Sequence, residues 1–248
     1  TADNYMEITD STFENNVAGN TATLGIYGYG GTNKITTSSF TSNHSNRTSS
    51  VDGTSIGAGA IALGTQAKTI IEGTVDNYVI FTNNTAAIEG GAIDTRHFAA
   101  GNNSAAALDI NYAKFTGNQS GVIYNTETGE ITASSYDASH KKGGAINNNF
   151  YNSSTKDGYV YIGNSEFDSN SATYGGAIYN NAGSGLDVKV DGEHQVGKIW
   201  LENSTFTGNT ATTHGGAIYN EGTLTLGNVE FSGNKAGDVA NDIYNSGN

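Results

Sequence analysis

The sequence predicts an all-β fold, a right-handed parallel β-helix (β-solenoid) of about eight to nine coils. Three observations carry this. The stretch Ile199–Asn220, IWLENSTFTGNTATTHGGAIYN, is largely repeated by LTLGNVEFSGNKAGDVANDIYN, with Phe206 answering to Phe231 and Asn220 to Asn245 at a period of 25 residues. Apolar and polar residues alternate over short runs, the period of a strand rather than a helix. Proline is absent and glycine numbers 34 of 248 residues, about twice the usual share of ~7%. Missing proline suits ladders that need every backbone N–H, and abundant glycine suits many corners.

A single unit shows why the repeats must stack. Leu224 and Leu226 alternate with Thr225 and Gly227, and Gly227-Asn228 then permits a corner. Val229 and Phe231 alternate around Glu230, and Ser232-Gly233-Asn234 supplies the next turn. Such turn residues tolerate left-handed backbone, and the Asn of each Phe-x-x-Asn reads as one of them. Two or three short strands in one unit are too few to bury a core alone, so the apolar face is hidden only by the coils above and below.

Along the chain, alignment on the aromatic turn gives eight units: Ile8–Asn16, Ile35–Asn43, Val75–Asn84, Asp109–Asn118, Ile131–Ser139 (Tyr136 in place of Phe), Tyr161–Asn170, and the two above. Five residues before the aromatic stand Ile8, Ile35, Asp76, Ile110, Ile131, Ile162, Leu201 and Leu226. That position is therefore expected to point inward, with a one-residue slip or bulge at Asp76. A second motif, Gly-Gly-Ala-Ile, is intact at Gly90–Ile93, Gly143–Ile146, Gly175–Ile178 and Gly215–Ile218, and weaker at Gly59-Ala60-Ile61 and Gly121-Val122-Ile123. Alternation puts its Ile inward and the next residue outward. Tyr124, Tyr179, Tyr219 and Tyr244 are thus expected to line up on one face, as a binding stripe or as a shield over the ladder, and the Asn after each to form an amide ladder between coils. Spacings between successive aromatics run 27, 41, 34, 21, 31, 39 and 25. The long ones imply loops at Arg47–Ile56, His97–Ala106, Asn149–Gly158 and Asn181–Gly197, and loops carry binding in repeat proteins.

Composition excludes several function classes. The net charge of −13 argues against nucleic acid and against anionic lipid. Without cysteine there is no disulfide framework and no thiolate metal site. No apolar run is long enough for a membrane helix, so this segment is not expected to insert in a membrane. No cofactor and no metal site is expected. Residues 1–248 read as one β-helix domain, a segment of something longer or a subunit that stacks end to end.

Candidate chemistry is sparse. Asp94, Arg96 and His97 replace the usual Tyr-Asn after Ile93, and an acid, a guanidinium and an imidazole together suit an acidic sugar and a proton transfer. The plainer reading is a variant corner entering a loop. Asp187, Asp191, Glu193 and His194 form an acidic set with a weak likeness to a calcium site. His44, His140 and His214 read as isolated surface residues and Lys141-Lys142 as a solvated pair.

Paired Phe-x-x-Asn and Gly-Gly-Ala-Ile motifs, as in Phe81/Asn84 with Gly90–Ile93, Phe167/Asn170 with Gly175–Ile178 and Phe206/Asn209 with Gly215–Ile218, resemble the repeats of chlamydial-type polymorphic outer membrane proteins, autotransporter passengers that act as adhesins. The resemblance implies a non-enzymatic adhesin segment at the bacterial outer-membrane surface or outside the cell, with a host-cell receptor, a matrix protein or a glycan as partner. Two alternatives stand beside it. One is a polysaccharide lyase or hydrolase on the same scaffold, which needs paired carboxylates. The other is a filament-forming subunit, because a solenoid with uncovered ends invites head-to-tail contact.

Overall fold

The computed structural model describes residues 5–19, 21–26, 31–47, 57–64, 68–95, 107–149, 159–182, 189–190, 193–194 and 197–247. Its described strands form three stacks of parallel strands, one of which adds Val239–Ala240 antiparallel to Lys235–Ala236, with two small antiparallel pairs beside them. Each coil lays down four short segments. The first face runs through Glu7–Thr9, Thr32–Thr36, Lys68–Glu72, Ala107–Asn111, Tyr159–Gly163 and the first halves of Lys198–Thr207 and Thr223–Ser232. The second face carries the aromatic, and the third holds pairs such as Thr85–Ala86. The fourth holds Ile93–Thr95, Ile146–Asn148, Ile178–Asn180, Ile218–Asn220 and Ile243–Asn245. The parallel β-helix expected from the repeats is the observed fold.

Registration follows the sequence motifs. Phe13, Phe40, Phe81, Phe115, Phe167, Phe206 and Phe231 pair one coil to the next. Their rings stack with centroids 4.6–5.2 Å apart, from 4.6 Å for Phe13–Phe40 to 5.2 Å for Phe206–Phe231. This is the coil spacing itself, because one strand step is about 4.8 Å. Beside them run the inward columns Ile35–Ile71–Ile110–Ile162–Leu201 and Ile61–Ile93–Ile146–Ile178–Ile218, all buried.

Two units depart from expectation. At the third coil the inward aliphatic is Ile71, not a residue beside Asp76. Asp76 sits in a small inserted turn closed by a Thr74–Asn77 bridge, so the anomaly is a multi-residue insertion rather than a one-residue slip. The segment Ile131–Ser139 is not a coil. Ile131–Ala133 pairs antiparallel with Val122–Tyr124, and Ile131 is exposed. This hairpin is an insertion inside the fourth coil, whose true corner is Gly143–Ile146 rather than Gly121-Val122-Ile123. Alternation alone misled here, because an exposed hairpin and a coil share the period of two.

The Asn of Phe-x-x-Asn has a different role from the one expected. The left-handed corner is the residue before it: Asn15, Ser42, Asn83, Gly117, Ser169, Gly208 and Gly233 all have positive φ. The Asn itself turns inward. Asn43, Asn84, Asn118, Asn170 and Asn209 are fully buried. Each donates from Nδ2 to Oδ1 of the next coil's Asn at 2.9–3.0 Å, as in Asn84 to Asn118 at 2.9 Å and Asn118 to Asn170 at 3.0 Å. Each also donates to the carbonyl of the preceding coil's Phe, as Asn170 does to Phe115 at 2.9 Å. The ladder therefore satisfies buried amides and backbone together.

The second amide ladder is present as expected at three of its four positions. Asn148 donates to Asn180 at 2.8 Å, Asn180 to Asn220 at 2.6 Å and Asn220 to Asn245 at 2.6 Å. Asn125 instead caps a turn, accepting from the N–H groups of Glu127 and Thr128. The glycine pair divides its labour. Gly90, Gly143, Gly175 and Gly215 have φ of 61–67°, the left-handed region. The following Gly91, Gly144 and Gly176 lie so close to the next coil that a Cβ would collide with the carbonyl oxygens of Gly144, Gly176 and Gly216.

Candidate functional site

The Gly-Gly-Ala-Ile corner brings two outward columns face to face. After the Ile come Asp94, Asn147, Tyr179, Tyr219 and Tyr244, in register from coil to coil. Before the first Gly come Glu89, Lys142, Tyr174 and His214, likewise aligned. The columns interlock diagonally, each residue of the second reaching the next coil of the first. Glu89 accepts from Asn147 Nδ2 at 3.1 Å. Lys142 Nζ stands 4.4 Å from the Tyr179 ring centroid. Tyr174 meets Tyr219 edge-on at 5.4 Å, and His214 stacks on Tyr244 at 4.5 Å. Chemistry thus grades along the axis from carboxylates, through an amide and an ammonium, to aromatic rings.

The tyrosine column is continuous from Tyr179 to Tyr244. Tyr179 and Tyr219 stack at 5.0 Å, Tyr219 and Tyr244 at 4.8 Å. Its exposure rises along the rod: Tyr179 is buried at 3% exposure, Tyr219 and Tyr244 are half-buried and His214 is exposed. Tyr179 Oη donates to Glu221 at 2.6 Å. Burial, then Glu221, push the Tyr179 phenol well above its ordinary range, and burial and Glu221 push Tyr219 up to about 12. Both stay neutral donors at physiological pH. Tyr124 does not join this column. It lies on the hairpin, stacked on His44 at 3.9 Å.

At the carboxylate end, Asp94 is buried at 1% exposure and accepts from Asn147 Nδ2 at 2.8 Å and from the Gly57 N–H at 3.3 Å. Asn147 Nδ2 thus touches Asp94 and Glu89 at once. Glu89 keeps partial exposure overall, but desolvation of its carboxyl pushes its pKa up against the opposing pull of Lys142 and His140. Arg96 and His97 lie outside the described residues, as do Asp187 and Asp191. Glu193–His194 pairs antiparallel with Lys189–Val190. Among the described residues no group of three metal-ligating side chains converges.

Sequence reasoning missed Glu89, Lys142, Tyr174 and His214 as a set. The signal was available, since each is the residue immediately before the corner glycine. Three surface assignments are also corrected. His44 is buried, bonded through Nδ1 to Thr85 Oγ1 at 2.7 Å, and desolvation lowers its pKa. Lys141 Nζ donates to the Ser134 carbonyl at 2.7 Å. Lys142 lies over Tyr179 rather than in open solvent.

This geometry defines a class: a parallel β-helix whose coils are specified by alternating Phe-x-x-Asn and Gly-Gly-Ala-Ile motifs. The family described as Chlamydia polymorphic membrane protein (Chlamydia_PMP) repeat matches residues 78–96, 164–181 and 203–221, three of the chain's repeat units. The three matches run from the Phe strand, or the residues leading into it, to the outward column after the Ile. The chain is 34% identical over 187 residues to the "Probable outer membrane protein pmp7" of Chlamydia pneumoniae, an alignment covering 69% of this chain and 19% of that relative. It therefore spans about a fifth of the relative's length. No solved structure matches the chain.

Proposed function

We propose that this β-helix is an adhesive segment displayed at the bacterial outer-membrane surface, and that it holds a host-cell receptor, matrix protein or glycan through its outward residues without chemical turnover. The carrying observation is the repeat-family match in a rod whose two outward columns bring Tyr219, Tyr244 and His214 together. These rings are apolar on the face and polar at the tip, the character of interface aromatics. The relative's description as an outer membrane protein supports the location.

The test is adhesion of the purified chain, immobilised on beads, to cultured epithelial cells and to a panel of matrix proteins and glycans. Binding that drops at least tenfold with the paired change Tyr219→Ala and His214→Ala supports the reading. No retention on any surface of the panel would sink it. A sugar-cleaving activity rests on one observation, the Asp94 and Glu89 carboxyls sharing the Asn147 amide. Retaining glycosidases hold their carboxyls about 5–5.5 Å apart. Turnover of pectin, alginate or glycosaminoglycan, lost in Glu89→Gln, would favour that alternative.

A further inference from the structure

On the first face, the next segment of the coil after the Ile-Tyr-Asn strand, a groove of about 580 Å³ opens over the outward side of the sheet. Its outward column reads Ile70, Asp109, Tyr161 and Trp200 in register over four coils. Tyr159 stands beside it and meets Trp200 edge-on, with centroids 5.7 Å apart and planes at 78°. Tyr161 leans across the position where Gly163 has no side chain, since a Cβ there would lie 2.9 Å from its Oη and 3.2 Å from its Cε1. That tilt lets Tyr161 donate to Glu202 Oε2 at 3.1 Å. Trp200 is 37% exposed.

Carboxylates flank these rings. Asp109 pairs with Lys68 at 3.1 Å, Glu72 with Lys34 at 2.8 Å, and Glu202 takes the Tyr161 hydroxyl. A carboxylate has acceptor sites for about four hydrogen bonds, so each retains capacity for further donors. The lysines balance two of the three acids, and the groove lacks a strong field of either sign.

We infer that this groove binds a neutral, hydroxyl-rich glycan chain lying along the axis of the β-helix. The C–H faces of pyranose rings suit aromatic faces, and their hydroxyls are donors for the flanking carboxylates. The coil step of about 4.8 Å is comparable with the advance of one sugar residue along a chain. Successive coils would then meet successive sugars, with Tyr161 and Trp200 under neighbouring rings. The chain's net charge of −13 disfavours sulfated or sialylated glycans. The inference narrows the partner class of the proposed function, but it concerns a different face and is separable from it.

Trp200 is the chain's one tryptophan, so intrinsic indole fluorescence reports on this groove. Titration with oligosaccharides of glucose and of N-acetylglucosamine should change its intensity and shift emission to shorter wavelength. Tyr161→Ala should weaken binding at least tenfold, Tyr159→Ala severalfold, and Thr207→Ala not at all, with circular dichroism confirming that each variant is folded. Trp200→Ala, followed by calorimetry, should abolish the heat of binding. No response to neutral oligosaccharides at millimolar concentration, tighter binding of heparin, sialylated oligosaccharide or oligolysine, or Tyr161→Ala binding like the parent would each overturn the inference. Cell adhesion by a chain that gives no response to any neutral oligosaccharide removes the inference and leaves the adhesive function standing. Oligosaccharide binding without cell adhesion does the reverse.

Discussion

Replacing Asn170 tests whether the inner amide ladder holds the coils together. Its side chain is fully buried and makes four hydrogen bonds. Nδ2 donates to Asn209 Oδ1 at 2.9 Å and to the Phe115 carbonyl at 2.9 Å, while Oδ1 accepts from the Asn118 N–H at 3.0 Å and Asn118 Nδ2 at 3.0 Å. Asn170→Ala leaves two donors short of a partner, the Asn118 N–H and one Asn118 amide hydrogen, and takes one of two donors from the Phe115 carbonyl, which keeps its ladder bond. Asn209 Oδ1 keeps the Asn170 N–H at 3.0 Å. A buried unsatisfied group costs about 1–3 kcal/mol, so the loss should be about 3–5 kcal/mol even if water partly repairs it. That is a large share of a typical total of about 5–15 kcal/mol. Asn170→Asp adds a second effect. It swaps two donors for acceptors facing Asn209 Oδ1 and the Phe115 carbonyl, and burial raises the new carboxyl's pKa above its unfolded value of about 3.9. A raised carboxyl pKa means the folded state gains relative to the unfolded as pH falls toward that unfolded value, so the Asp variant should recover stability in mild acid while the Ala variant does not. The control is Asn16→Ala, because Asn16 is the exposed end of the same ladder. It should cost under about 1 kcal/mol. Urea unfolding reads the midpoints, and hydrogen exchange reads the Asn118 amide. An Asn170→Ala variant within 1 kcal/mol of the parent, or an Asn118 amide still protected, would refute the ladder's structural role. By the same logic Asn209→Gly should be costly, since Asn209 is a buried ladder member and not the left-handed corner.

Other outcomes follow from the same geometry. Phe206→Ala should cost about 3–5 kcal/mol, and the exposed neighbour Thr207→Ala almost nothing, both read by urea midpoint. Gly176→Ala should block folding or displace a coil, since its Cβ meets the Gly216 carbonyl, whereas Gly208→Asn should be nearly neutral, because a Cβ there meets only Ser169 Oγ at 3.6 Å and Asp168 Oδ1 at 3.9 Å, ordinary contacts, and Asn15 and Asn83 occupy its equivalents; thermal melts separate the two. Stability should fall from about pH 10 to about pH 12, because unfolded tyrosine ionises at about 10 while folded Tyr219 holds its proton to about 12. Tyr219→Phe should shrink that alkaline loss, followed by phenolate absorbance alongside circular dichroism. The purified segment should self-associate with concentration, since Leu226 is 42% exposed in the coil that carries Phe231. Strictly monomeric light scattering at high concentration would count against stacking.

The repeats alone determined the parallel β-helix, the Phe column, the Ile column and the Ile-Tyr-Asn amide ladder. These follow from side-chain period and from identical residues recurring at one place in a coil, which stacking must superpose. What depended on the third dimension was everything set between coils or inside insertions. Ile131–Ser139 carries the coil's alternation yet pairs antiparallel on the surface, because period two is shared by every strand. Asp76 stands where an aliphatic belongs because a closed turn was inserted before the Phe, and only pairing with Ile35 and Ile110 identifies Ile71 as the true inward residue. The Phe-x-x-Asn asparagine has a turn former's composition but a core residue's position, and its role emerges only when the next coil's amide lies at hydrogen-bonding distance. Tyr161 and Trp200 are 39 residues apart, each six residues before the Phe of its own unit. They become neighbours because a coil's length can vary through its loops while the register of its strands cannot.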